Sequence, residues 1–132
     1  MKKTTSFRTY PIRTLHDLLW EASSRYRERV AVASKIGGFY RKTSYFKLQE
    51  TVVEVMAALK ALEKKDEEPI GLLGENCTEW AVVYLAIVCS GKVVIPIDRD
   101  LKIAEIKEIL ELSGAKTVFS SKFSIFLIFS KY

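Results

Sequence analysis

Two aspartates two positions apart, Asp98 and Asp100 in "PIDRDL", are the nearest approach to a metal-binding pair. Carboxylates placed after an apolar run could hold a hard cation at the end of a strand. Arg99 between them dilutes the charge, however, and "DLKIAEI" reads better as a capping residue opening a helix. A second candidate is "PIGLLGENCTEW", Pro69 to Trp80, an apolar strand that breaks at glycine and then opens a helix. Many α/β proteins hold a phosphate at such a turn. Gly71 and Gly74 are three apart, without the G-x-G-x-x-G spacing that lets backbone approach a pyrophosphate. Glu75 and Glu79 would set negative charge beside any phosphate, and Asn76 with Glu79 fits a helix cap and its reciprocal partner. The turn reads as scaffold.

Other reactive residues are sparse. Cys77 and Cys89 are the only cysteines. On one helix, about twelve steps at ~1.5 Å per residue would hold them ~18 Å apart, too far for a disulfide. They read as small core residues. The single histidine, His16, lies off the apolar stripe of its segment, reads as a surface residue, and leaves no zinc constellation. Ser23, Ser24, Ser120 and Ser121 have no suitably placed histidine. No catalytic, cofactor-binding or metal-ligating residue is therefore assigned.

The elements that would position these residues form a regular series. "TLHDLLWEASSRYRERV" predicts an amphipathic helix capped by Thr14 with Asp17, its stripe running through Leu15, Leu18, Leu19, Ala22 and Tyr26. "RVAVASKI" and "FYRKTSY" around Gly37-Gly38 predict a β-hairpin. A second helix is expected from Ser44, with a stripe of Leu48, Val52, Val55, Met56, Leu59 and Leu62, ending at the loop "KKDEEP". Strands beginning near 70, 93 and 117 then alternate with the helices "TEWAVVYLAIVCS" and "KIAEIKEILELS", which stop at Gly91 and Gly114. That is βαβαβ, an α/β fold with a parallel sheet.

At 132 residues, 48% apolar and 28% charged, the chain has one domain's length and an ordinary globular balance. Its net charge of +5 is uneven: residues 1–47 hold eleven Lys/Arg against three Asp/Glu, and residues 48–132 ten against thirteen. The basic residues are scattered without a nucleic-acid motif, so a solvated basic face is expected rather than nucleic-acid binding. "MKKTTSFRTYPIR" lacks an apolar core and is not a secretory signal, and no apolar run nears the roughly 20 residues of a transmembrane helix. A cytoplasmic protein is expected.

Three segments in order resemble one family. "TSYFKLQETVVEVMAAL", "IGLLGENCTEWAVVYLAIVCSGKVVIPID" and "EIKEILELSGAKTVF" are similar to the opening blocks of the AMP-forming adenylating enzymes. Glu79 beside Trp80 leans toward the long-chain fatty-acid–CoA ligases, and the resemblance covers about residues 14–120. Lys47 stands where the family commonly has the glutamate that closes a capping box. The resemblance implies an enzyme using ATP, Mg²⁺ and CoA to make an acyl-adenylate and then a thioester. It also implies a Ser/Thr/Gly-rich phosphate loop ending near a lysine, which backbone N–H groups and positive charge would need to grip a triphosphate. With six glycines and no such cluster, residues 1–121 are read as an incomplete N-terminal portion of that domain, scaffold only and inactive alone.

Residues 122–132, "KFSIFLIFSKY", form an apolar tail that does not resemble the family. A disrupted reading frame or truncated gene near residue 122 is the expectation. The expected partners are the missing remainder of the enzyme, or a second copy through an exposed sheet edge and the tail. The alternative is a small standalone α/β module that binds a partner.

Overall fold

The computed structural model describes residues 11–62, 68–120 and 123–127, the last stretch as backbone alone. The loop expected at "KKDEEP", apart from Glu68 and Pro69, and most of the apolar tail lie outside the described residues. Helix α1 spans Leu15–Tyr26, the hairpin strands are β1 (Val30–Ile36) and β2 (Phe39–Ser44), and α2 follows over Tyr45–Leu62. Then come β3 (Ile70–Leu73), α3 (Thr78–Cys89), β4 (Val94–Ile97), α4 (Ile103–Ser113), β5 (Thr117–Ser120) and β6 (Phe123–Leu127).

The helix starts follow local chemistry. Thr14 accepts from the Asp17 amide at 3.0 Å while Asp17 accepts from the Thr14 amide at 3.2 Å, so the expected capping box closes. Ser44 accepts from the Lys47 amide at 3.2 Å. The reciprocal half is missing, because a lysine ammonium has no acceptor to offer the Ser44 amide, and Lys47 instead donates to Glu50 at 2.7 Å. At the far end of α4, Gly114 takes the left-handed conformation with φ 72°, which leaves its N–H free to meet the Glu111 carbonyl.

One stripe assignment needs correction. On α1, Leu19 and Ser23 are buried whereas Leu15 and Leu18 are exposed, so the inward face is rotated from the one expected. His16 is half-exposed as expected, but its ring stacks on Trp20 with centroids 3.9 Å apart.

The four-stranded sheet has the order β4-β3-β5-β6, with β3 parallel to both β4 and β5 and β6 antiparallel to β5. Strand alternation divides the core into two layers. Leu19, Leu48, Val52, Leu59, Val82, Ala86 and Ile87 cover one face over Ile70. On the other, Leu110 of α4 packs with Ile97, Ala115 and Val118. Helices therefore cover both faces, as a parallel sheet requires.

Candidate functional site

The chain leaves β3 toward the α3 face and leaves the adjacent β4 toward the α4 face. Loops parting in opposite directions from neighbouring strands open a crevice at their carboxyl ends, where open α/β sheets bind ligands. A cleft of about 580 Å³ lies there, lined by Gly74, Glu75, Asn76 and Trp80 on one side and Pro96–Asp100 on the other. The structure thus brings the two sequence candidates, "GLLGENCTEW" and "PIDRDL", into one place.

Their residues are occupied with one another. Arg99 reaches across the cleft to Glu75 at 2.6 Å and lies 3.6 Å from Asp100. Asp98 accepts from the Asp100 amide at 2.9 Å, which closes a turn within its own loop. Asp100 does not cap α4. That helix begins after Lys102, whose amide donates to Glu105 at 2.8 Å. Among the described residues no three His, Cys, Asp or Glu side chains are grouped to hold a metal.

The start of α3 also departs from expectation. Its N-cap is Cys77, not Asn76, and no side chain of that residue caps it. The Thr78 amide instead donates to Ser34 Oγ of β1 at 3.0 Å, and the two hydroxyls lie 2.6 Å apart. Arg41 of β2 pairs with Glu79 on the same helix turn. The hairpin thus supplies the partners that Asn76 was expected to provide, from 44 and 38 residues away.

A triphosphate does not fit this donor set. The lining carries Glu75, Asp98 and Asp100 against one arginine, which is already paired. The first amide of α3 is spent on Ser34, and Glu79 adds negative charge where a phosphate would need donors. The free thiols do not change this: Cys77 caps backbone only, and burial raises the pKa of Cys89 on the α3 core face.

Glu79 ties the site to pH. Its own backbone N–H holds the carboxylate below the ordinary value of 4.5, and Arg41 adds to the effect. A depressed folded-state pKa contributes stability above the unfolded value that is lost as pH falls through the folded one. Urea midpoints taken from about pH 7 to about pH 3 should therefore fall more steeply in the natural protein than in Glu79→Gln.

The model of the family described as "AMP-binding enzyme" matches residues 19–127. The chain belongs to that family. It is similar to the phosphinothricin tripeptide synthetase PhsC of Streptomyces viridochromogenes, with 26% identity over 110 residues, 83% of this chain and 10% of that protein. A long-chain-fatty-acid–CoA ligase of Xenopus laevis is 30% identical over 78 residues, 59% of this chain and 11% of that protein. The N-terminal subdomain of NpsA from Klebsiella oxytoca has the same fold, with TM-score 0.77 and 23% identity over 90% of this chain and 30% of that one.

The AMP-binding family match thus corresponds to the N-terminal part of an adenylation domain. The matched relatives are mostly adenylation domains of nonribosomal peptide synthetases, with a fatty-acid–CoA ligase among the others. The two residues that leaned toward the ligases have packing duties here: Glu79 holds Arg41, and Trp80 stacks on Tyr84 with centroids 5.3 Å apart. The chain spans about a tenth of the length of each of the two curated relatives named above. Among the described residues no helix is long and apolar enough to cross a membrane.

Proposed function

We propose that the chain supplies the N-terminal scaffold of an adenylate-forming enzyme, one that activates a carboxylic acid with ATP and Mg²⁺ and passes the acyl group to a thiol. One observation carries the scaffold role. The crevice at the β3/β4 switch point is built, but its charged side chains are satisfied by each other and by backbone of their own loop. It shapes two loops, and three carboxylates around one paired arginine give it no grip on phosphate. Binding of nucleotide then falls to residues outside this chain.

Two acyl classes fit the reading. A carboxylic acid of the kind taken by peptide synthetases is favoured, because such relatives match over 110 residues. A long-chain fatty acid with CoA as acceptor is supported by the ligase match over 78 residues. In either case the partners are the remainder of the domain or a second copy. They would pack on the exposed Ile103 and Leu112 of α4 and on the open edges of the sheet.

The test is calorimetric titration of the 132-residue protein with Mg·ATP, alongside carboxylate-dependent pyrophosphate exchange. No heat of binding and no exchange are expected. Tight, magnesium-dependent uptake of ATP would overturn the scaffold reading.

A further inference from the structure

The end of the β1–β2 hairpin has no role in the site. Its base is held by the Ser34–Thr78 hydrogen bonds and by the Arg41–Glu79 pair. Beyond them, Lys35 to Lys42 are exposed on both faces of the ribbon, and nothing lies within 4 Å of where a Cβ would sit at Gly37 or Gly38. Both glycines have positive φ, 56° and 88°, so the chain reverses in the tight turn such residues permit.

The side chains are graded along this ribbon. Ile36 and Phe39 are cross-strand partners next to the turn, 52% and 82% exposed. One step back, on the opposite face, Lys35 faces Tyr40, which is 64% exposed, and Lys42 follows beside Ala33. No acidic residue stands between Glu28 and Glu50 in the sequence. Apolar at the tip, amphipathic next and cationic behind is the order of a lipid interface from its acyl boundary to its headgroups.

We infer that this hairpin tip is a contact for an anionic membrane surface: Ile36 and Phe39 enter the acyl boundary, Tyr40 sits at headgroup level, and Lys35 and Lys42 meet lipid phosphates and carboxylates. Charge complementarity selects this partner. The two lysines stand on the same face beside an apolar tip and have no carboxylate among their neighbours in the ribbon. Size selects it over a protein surface. Eight residues at the end of a two-stranded ribbon fall well short of the ~800 Å² per partner of a stable protein interface, whereas a bilayer demands no shape match. The inference is independent of the acyl substrate and of the scaffold role.

The test is co-sedimentation of the 132-residue protein with phosphatidylcholine vesicles, and with the same vesicles containing phosphatidylserine. Binding is expected to the mixed vesicles and not to phosphatidylcholine alone, with loss on raising salt. Phe39→Ser and the double change Lys35→Ala/Lys42→Ala should each weaken it by about tenfold or more. Both replace exposed side chains, and circular dichroism checks that the fold is kept. Val53→Ser on the exposed side of α2 should leave binding unchanged. Absence of binding to the mixed vesicles would overturn the inference, as would binding that Phe39→Ser does not alter. So would a lipid-free sedimentation coefficient that shifts in the hairpin variants, because the tip would then be a contact between copies.

Discussion

Ile87→Ala is expected to lower stability by about 2–5 kcal/mol, among the largest losses any single truncation would give in this chain. Ile87 has no solvent exposure and sits on α3 among Val52, Val82 and Ala86. The loss has two parts: the transfer free energy of the deleted carbons and the cavity left behind. Collapse into that cavity is opposed from several directions. Val52 of α2 is itself fully buried with a stiff β-branched side chain, and Ile70 belongs to a strand paired on both sides. Urea unfolding checks the result. The midpoint should drop with the slope unchanged, since the surface exposed on unfolding hardly changes.

Gly71→Val should cost about 1–3 kcal/mol by the opposite mechanism, overpacking. Gly71 lies on the internal strand β3 and does not have positive φ, so its backbone would accept any residue but proline. Space is what forbids it. A Cβ there would lie 3.1 Å from Leu110 Cδ2 and from Val118 Cγ2, and 3.4 Å from Ile97 Cδ1. The Leu110 terminus can swing aside, while Val118 is β-branched in a paired strand and yields less. Gly71→Ala should cost less than Gly71→Val, and in both variants amide chemical shifts should move in the layer between the sheet and α4. Shifts confined to the α2–α3 layer would contradict the assignment of Gly71 to the α4 face.

Local patterns in the sequence carried most of the architecture. The Thr14–Asp17 box, the hairpin around Gly37-Gly38, the start of α2 at Ser44 and the βαβαβ alternation are encoded over a few adjacent residues, and each is present in the structure. The errors fall where partners come from far along the chain. Asn76 has the right type and spacing for a cap, but Ser34 arrives from the hairpin and takes the Thr78 amide instead. Leu15 and Leu18 have the period of a buried stripe, yet which side of α1 faces inward depends on how it packs against α2 and α3. The candidate site was legible only as two separate loops. Their meeting follows from strand order, and the Glu75–Arg99 bridge across them has no signature in either segment.

Strand β6 fixes the geometry of whatever is joined after it. It pairs with β5 alone and runs opposite to the three parallel strands, and Leu127 lies level with Thr117 at their amino ends. The polypeptide leaving Leu127 therefore sets out from the pole of the sheet remote from the crevice. Any downstream group meant to act beside Asp98 or Glu75 must first retrace the sheet's height, roughly 13 Å for four strand residues. A short, stiff linker joined directly to Leu127 would hold its cargo at the pole opposite the crevice.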